Sequence, residues 1–274
     1  MKPVAFDYER PRTIGEAVRL LSESPDAKII SGGQTLGPML NLRLVQPALL
    51  VDITRIPELT RIEETDDAVI LGACVTHAAI EDKRIADPSH GFLAEVARGI
   101  AYRAVRTRGT VGGSLAHADP AADWLSCLIA LGAEVLLTGL SGQRRLTLTE
   151  FVRGALDTQL EPDEILDGIH IPKLSKRARA GFAKICRKSG EFADAIGVVV
   201  HDADRRALHL VAGAVQGQPI VIAAGNERTP GASWPPPLES LREKLEQAGL
   251  GGDAYELNIH MAALERAIRN AQAP

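Results

Sequence analysis

The stretch RTRGTVGGSLAHADPAADWLSCLIALGA, residues 106–133, combines a glycine-rich turn with a predicted apolar helix. Its segment TVGGS, residues 110–114, places two adjacent glycines between hydroxyl side chains. Adjacent glycines are typical of a tight turn, and a turn without Cβ atoms also exposes backbone N–H groups that can bind an anion. A single turn of this kind favours the purely structural interpretation.

The residues that follow predict a helix. Asp119 can act as the N-cap and Pro120 can occupy the first helical position, before an apolar run over residues 121–131. Gly132 is expected to end the helix. Asp123 then lies in the first turns, where the helix dipole favours a carboxylate. This structural explanation of Asp123 and a role in ligand binding both stay open.

A second glycine segment, SGGQT at residues 31–35, follows directly after the apolar run KII at residues 28–30. It has the same order of parts: a strand, two glycines, then side chains that form hydrogen bonds. Two such turns in one domain can bind one diphosphate from two sides. The pair therefore favours the anion-binding interpretation that one turn alone does not support.

Composition excludes several classes of protein. The 274 residues carry a net charge of −4 and only 4% aromatic side chains, which argues against a nucleic-acid partner. The cysteines, Cys74, Cys127 and Cys186, lie far apart and cannot hold an iron–sulfur cluster of the four-cysteine kind. No apolar run is long enough for a membrane span, so we expect a cytoplasmic protein without membrane insertion.

Local patterns predict a mixture of helices and strands. The helix predictions cover residues 91–105, 238–248 and 255–271. The hairpin predictions cover residues 61–74 and 134–148, and further strands are predicted at 181–186, 195–201 and 207–215. The basic stretch PKLSKRAR, residues 172–179, is the predicted domain boundary. A nicotinamide-binding βαβ domain is disfavoured because no G-x-G-x-x-G follows the first strand.

Four motifs in order carry a family resemblance. They are SGGQTLGPMLNLRL, PALLVDITRIPEL, ILGACVTH and RTRGTVGGSLAHADPAAD, within residues 3–192. The chain resembles the FAD-binding medium subunit of the molybdenum hydroxylases, whose relatives include the carbon monoxide dehydrogenase medium subunit and the flavin domain of xanthine dehydrogenase. Each motif is weak alone, and their order makes the set specific.

The resemblance implies an α+β fold. Residues 1–174 are expected to form a FAD-binding domain of the vanillyl-alcohol-oxidase type, with subdomains of about 1–57 and 58–174. Residues 178–274 are expected to form a C-terminal domain similar to that of carbon monoxide dehydrogenase flavoproteins, with a three-stranded antiparallel sheet. Residues 216–252 depart from the family pattern.

The resemblance also implies which residues bind FAD. The first glycine segment, expected on the diphosphate, comprises Ile29, Ile30, Ser31, Gly32, Gly33, Gln34, Thr35 and Leu36. The second comprises Thr110, Val111, Gly112, Gly113 and Ser114. Residues expected nearer the flavin are Ile100, Asp123, Leu166, Lys184 and Phe192. Lys184 would be a fixed cation beside the ring. From the sequence alone, a lone strand lysine usually faces solvent, Phe192 can be an ordinary core residue, and Ile100 is equally interpretable as core.

The function implied is that of an electron-transfer subunit. FAD is expected to be non-covalent, with no metal and no catalytic side chain on this chain. Molybdopterin and [2Fe–2S] clusters are expected on a large and a small partner subunit, in a dimer of heterotrimers. A stand-alone flavoprotein oxidoreductase and a scaffold that has lost its flavin remain as alternatives. The acceptor is open among NAD⁺, quinone, oxygen and a cytochrome.

Overall fold

The computed structural model describes residues 2–223 and 234–273 of the chain. Residues 224–233, which belong to the divergent segment 216–252, lie outside the described residues. The described residues form three larger sheets and one two-stranded ribbon, and helices pack between and against the sheets. This mixture of helices and sheets confirms the predicted α+β class.

The first sheet is parallel and has three strands. Its elements in chain order are β1 (Asp7–Glu9), α1 (Ile14–Glu23), β2 (Lys28–Ile30), α2 (Leu36–Asn41) and β3 (Leu49–Asp52). The strand order is β1-β3-β2, and the central β3 is buried along its whole length, as its apolar sequence predicts. Ala17, Val18 and Leu21 of α1 pack in one core with Val51 of β3. This packing fixes the end of β2, where the first glycine segment begins.

The second sheet is antiparallel and has five strands. They are β4 (Ile62–Glu64), β5 (Ala68–Gly72), β6 (Glu134–Gly139), β7 (Gly142–Thr147) and, further along the chain, β10 (Ile165–Pro172), in the order β4-β5-β10-β6-β7. Both predicted hairpins are confirmed, since β4 pairs with β5 and β6 pairs with β7. A small ribbon of β8 (Val152–Gly154) and β9 (Asp157–Thr158) precedes β10.

Short helices connect the strands of the second sheet. They are α3 (His77–Glu81), α4 (Phe92–Arg98), α5 (Arg103–Arg106), α6 (Val111–His117), α7 (Asp123–Ala130) and α8 (Leu148–Phe151). The prediction of one helix over residues 91–105 is wrong, because α4 ends at Gly99 and α5 begins only after Tyr102. Ala101 between them has a φ of +42°, a left-handed conformation that interrupts a right-handed helix.

The predicted start of the apolar helix is also wrong. Ala118 has a left-handed φ of +52° at the end of α6, and Asp119 Oδ1 accepts a hydrogen bond from the Ala121 backbone N–H in a local turn. Helix α7 therefore begins at Asp123, later than the Asp119–Pro120 start that the sequence suggests. Its predicted end is confirmed, since Gly132 has a φ of +69° directly after the helix.

The third sheet is antiparallel and packs on α7. The strands are β11 (Arg179–Ile185), β12 (Ala195–Asp202), β13 (Ala207–Gly213) and β14 (Ile220–Ala223), followed by helices α9 (Leu238–Gln247) and α10 (Ala254–Gln272). The three predicted strands are present, and β14 adds a fourth that the prediction missed. Phe182, Val198 and Val211 share one apolar core with Trp124 and Leu128 of α7. No helix within residues 2–223 and 234–273 is long and apolar enough to cross a membrane.

Candidate functional site

A cleft of about 610 Å³ lies where the first sheet, the helices of the second sheet and the loop between the first two strands of the third sheet meet. Both glycine segments border it. The predicted residues that border the cleft are Ile29, Ser31, Gly32, Gly33, Gln34, Thr35, Leu36, Ile100, Thr110, Gly112, Gly113, Ser114, Asp123, Leu166 and Phe192. The structure thus brings together residues that are distant in sequence, and it leaves Ile30, Val111 and Lys184 behind the cleft wall.

The first glycine segment offers free backbone donors to the cleft. The N–H groups of Gly32, Gly33, Gln34 and Thr35 make no hydrogen bond with any residue that the structure describes. The φ of +70° at Gly33 turns the chain so that these four groups lie in one short loop. Consecutive free N–H groups in a turn form a concave anion site.

This loop is held in place by its own carbonyl groups. The Gly33 carbonyl accepts from the Gly37 backbone N–H at 2.9 Å, and the Gly32 carbonyl accepts from the Gln34 side-chain amide at 3.1 Å. A Cβ built on Gly32 would lie 2.1 Å from the Arg108 carbonyl oxygen, so the first glycine segment packs closely against the backbone that directly precedes the second. The donors are therefore preorganised on a rigid support.

The second glycine segment has a different structure from the predicted bare turn. Thr110 is the N-cap of α6, and the Gly112 N–H donates to the Ala73 carbonyl at 3.0 Å. The Gly113 N–H donates to Thr110 Oγ1 at 3.1 Å, and the Ser114 N–H donates to the Thr110 carbonyl at 3.1 Å. The expectation of exposed N–H groups is wrong here, because a helix start and a neighbouring strand end use them.

The second segment contributes hydroxyl groups and close packing instead. Thr110 Oγ1 lies 3.0 Å from Ser31 Oγ, which is in turn 3.4 Å from Cys74 Sγ. This contact ties the two glycine segments together by side chains. Burial raises the pKa of Cys74 to about 11, so its thiol stays protonated at neutral pH. Gly112 is required because a Cβ there would lie 2.4 Å from the Ala73 Cβ.

Asp123 and Lys184 form a buried pair at one side of the cleft. Lys184 Nζ lies 3.0 Å from Oδ1 and 3.3 Å from Oδ2 of Asp123, and only the Oδ2 contact has hydrogen-bond geometry. Oδ1 is thus buried without a hydrogen-bond donor among the described residues. Burial raises the pKa of Asp123, and the neighbouring Lys184 ammonium opposes that rise. Both side chains are 8% exposed.

The break between α4 and α5 forms another part of the cleft wall. Lys184 Nζ donates to the Gly99 carbonyl at 3.0 Å, and the Arg106 guanidinium donates to the carbonyls of Ile100 and Ala101, both at 2.8 Å. Arg106 is itself held by a salt bridge to Glu81. The buried cations Lys184 and Arg106 therefore hold the loop between α4 and α5 in place, and Ile100 of this loop borders the cleft.

Three predicted residues define the remaining apolar wall. Leu166 is buried in β10 where the strand carries a bulge opposite β6. Phe192 follows the turn after β11 and is 67% exposed, so it covers one end of the cleft from the solvent side. Together with Ile100 they provide apolar contact without titratable groups.

Sequence reasoning missed several cleft residues. They are Met39, Val45, His77, Ala101, Gly109, His117, Asp119, Trp124, Leu160, Ile165, Gly190 and Glu191, among others. His77 stands at the end of the motif ILGACVTH, and Trp124 directly follows Asp123. The motifs therefore pointed to the neighbourhood of both residues. A histidine or a tryptophan at these positions does not by itself predict contact with a ligand.

The described residues contain no group of three or more His, Cys, Asp or Glu side chains arranged to hold a metal ion. What the cleft does provide is a row of free backbone donors, the carboxylate residue Asp123 and apolar walls. This arrangement fits an extended organic cofactor that carries a diphosphate, with a polar chain and a flat apolar end. The fold and site define a dinucleotide-binding protein of the flavin type.

Comparison with known proteins identifies the family. The family described as the FAD-binding domain in molybdopterin dehydrogenase matches residues 4–174. The 6-hydroxypseudooxynicotine dehydrogenase complex subunit alpha of Paenarthrobacter nicotinovorans is 39% identical over 194 residues, 70% of this chain and 66% of that subunit. The nicotine 6-hydroxylase medium subunit of the same organism is 34% identical over 266 residues, 96% of this chain and 92% of that subunit.

The solved structures agree. Carbon monoxide dehydrogenase from Hydrogenophaga pseudoflava matches with a TM-score of 0.87 and 30% identity, over 99% of both chains. The chain belongs to the family of FAD-binding domains of molybdopterin dehydrogenases. It is an oxidoreductase subunit of the medium-subunit type found in molybdenum hydroxylases, and its cofactor is FAD.

The residues of the cleft fit FAD. The four free N–H groups of residues 32–35 match the charge and acceptor oxygens of a diphosphate. Asp123 borders the cleft, and its carboxylate can accept a hydrogen bond from a sugar-like hydroxyl. The cleft volume of about 610 Å³ lies in the usual range for cofactor sites.

Proposed function

We propose that this chain holds FAD without a covalent bond and passes electrons from partner [2Fe–2S] centres to an external acceptor. The observation that carries the proposal is the loop of residues 32–35, whose backbone donors are free and preorganised. The two glycine segments contain no cysteine or histidine that could attach a flavin. Bound FAD would supply the exchange between one-electron and two-electron transfer.

Each part of the cleft has a proposed role toward FAD. The N–H groups of residues 32–35 bind the diphosphate, and the hydroxyls of Thr110 and Ser114 add polar contacts nearby. The Asp123 carboxylate, which borders the cleft, accepts from a hydroxyl of the ribityl chain, and Lys184 keeps Asp123 ionised and in position. Leu166, Ile100 and Phe192 surround the ring system and exclude water from it.

The proposal includes partners and a domain organisation. Residues 1–174, with subdomains of about 1–57 and 58–174, would bind FAD, and residues 178–274 would support it through Lys184 and the core shared with α7. A large molybdopterin subunit and a small iron–sulfur subunit would complete a dimer of heterotrimers in the cytoplasm. The similarity to proteins named as a complex subunit and a medium subunit supports this assembly.

Electron transfer through the flavin can be tested in the complex isolated from the native host. The complex is reduced anaerobically with dithionite and mixed with NAD⁺, a quinone analogue, oxygen or cytochrome c. We expect the iron–sulfur absorbance to recover rapidly with one of these acceptors, and to lose most of that rate once FAD is removed. Reloading with FAD should restore the rate.

Two outcomes would contradict the proposal. Equal reoxidation rates with and without FAD would show that electrons leave by another route. Turnover of an organic substrate by the isolated chain, without its partners, would favour a stand-alone flavoprotein oxidoreductase instead.

A further inference from the structure

His77 borders the cleft but belongs to neither glycine segment. It is the first residue of α3, which Thr76 caps by accepting from the Ala79 backbone N–H. The His77 backbone N–H donates to the Gly109 carbonyl at 2.9 Å. The imidazole is therefore anchored at the junction between the end of β5 and the start of the second glycine segment.

Trp124 determines which nitrogen of His77 carries the proton. The indole Nε1–H of Trp124 donates to His77 Nδ1 at 3.0 Å. Indole nitrogen is only a donor, so Nδ1 must be the unprotonated acceptor. The single proton of the neutral ring consequently resides on Nε2.

The surroundings of His77 keep the ring neutral. The side chain is buried, and burial together with the nearby Arg106 guanidinium lowers the pKa of His77 to about 4. An imidazolium would also place a second N–H against the Trp124 N–H. At neutral pH, His77 is therefore an uncharged donor through Nε2.

The Nε2–H of His77 has no partner among the described residues. The buried side-chain polar atoms without a hydrogen bond in that part of the chain are Asp123 Oδ1 and Ser126 Oγ, so Nε2 is not sealed within the protein. Because His77 is only 6% exposed and borders the cleft, the cleft is where Nε2 is accessible.

The position of Nε2 relative to the glycine segments follows from their packing. A Cβ built on Gly109 would lie 2.8 Å from Nε2, and one built on Gly32 would lie 2.8 Å from the Gly109 Cα. Nε2 is thus beside the point where the first glycine segment meets Gly109, just before the second segment. The free N–H groups of residues 32–35 begin at the same point.

We propose that His77 donates a hydrogen bond through Nε2–H to an oxygen of the FAD diphosphate or of the adjoining sugar chain, and that Trp124 is the positioning residue that fixes the donating tautomer. This inference rests on the proposed non-covalent binding of FAD. It adds a neutral side-chain donor, from a separate element, to the backbone donors of the first glycine segment.

The test compares four variants of the full chain by FAD affinity and by thermal unfolding without FAD. His77→Phe removes both hydrogen bonds and leaves the Trp124 N–H buried without an acceptor, so both stability and affinity should fall. His77→Phe combined with Trp124→Phe removes both polar partners, and stability should largely return. His77→Gln retains an acceptor for Trp124 and a donor for FAD. Trp124→Phe alone retains the His77 imidazole as a donor, but the proton of the ring is then no longer confined to Nε2.

The expected result separates a FAD contact from a structural role. The double variant should regain stability yet bind FAD about 10- to 100-fold more weakly than the wild type. His77→Gln should recover most of the affinity, and Trp124→Phe should fall between it and the double variant. If His77 only satisfies Trp124, the double variant will bind FAD as the wild type does, and that result would overturn the inference.

A measurement on the unmodified chain supports the test. Long-range ¹H–¹⁵N spectra of histidine-labelled protein should show the Nε2–H tautomer of His77 and a shift of Nε2 when FAD binds. The Nδ1–H tautomer, or an unchanged Nε2 signal on binding, would contradict the inference. Failure of the wild type itself to bind FAD would instead refute the proposed function.

Discussion

Replacing Lys184 with methionine should lower the free energy of unfolding by about 3 kcal/mol, because it removes one partner of a buried ion pair. Lys184 Nζ lies within 3.3 Å of both Asp123 oxygens and also binds the Gly99 carbonyl. Without the ammonium, the Asp123 carboxyl is buried beside no cation and will be protonated at neutral pH. Urea unfolding of the chain without FAD measures the loss.

Two variants control this experiment. Lys188→Met changes an exposed lysine of the same region and should alter the free energy of unfolding by about 0.5 kcal/mol or less. The double variant Asp123→Leu and Lys184→Met replaces the whole pair with apolar side chains and should recover most of the stability. An unchanged midpoint for Lys184→Met would show that the pair is not formed in solution.

The second large effect concerns Gly32. Gly32→Ala should weaken FAD binding on the order of 100-fold, since two or more hydrogen bonds to a charged diphosphate would be misaligned. The new Cβ would lie 2.1 Å from the Arg108 carbonyl oxygen, so the first glycine segment must move away from the backbone of residues 108–109. Fluorescence titration of the chain with FAD measures the affinity.

Gly37→Ala is the matched control for Gly32→Ala. A Cβ at Gly37 meets no atom within 4 Å, and the residue lies in α2 just beyond the cleft. Its FAD affinity should equal that of the wild type. Gly112 is a poorer test site, because its Cβ would collide with the Ala73 backbone and disturb the fold as well. Wild-type affinity in Gly32→Ala would show that the first segment does not bind the diphosphate.

The sequence predicts the free backbone N–H groups of the first glycine segment correctly, and it predicts those of the second segment wrongly. SGGQT follows a short, partly exposed strand and carries a glycine at a left-handed position, so local rules suffice. TVGGS has the same local pattern, but its N–H groups reach Ala73 and the Thr110 N-cap. That partner strand end lies almost forty residues earlier and leaves no mark in the local sequence.

Contacts between residues distant in sequence also explain two other features that the sequence does not predict, the Asp123–Lys184 pair and the break between α4 and α5. Asp123 and Lys184 are each predicted as site residues, yet their pairing depends on how the third sheet packs against α7. The break at residues 99–102 depends on Arg106, whose guanidinium donates to the carbonyls of Ile100 and Ala101 while a salt bridge to the distant Glu81 holds it in place. Long-range contacts determine these features, whereas helix and strand patterns depend on neighbours in sequence.

Non-covalent binding of FAD by the loop of residues 32–35 is tested most directly by the flavin content of the complex isolated from the native host. The protein is denatured and filtered, and the flavin in the filtrate and the retained polypeptide are quantified separately. We expect one FAD per chain, all of it in the filtrate. Flavin retained with the polypeptide, or protein isolated with its partners and no flavin at all, would contradict the claim.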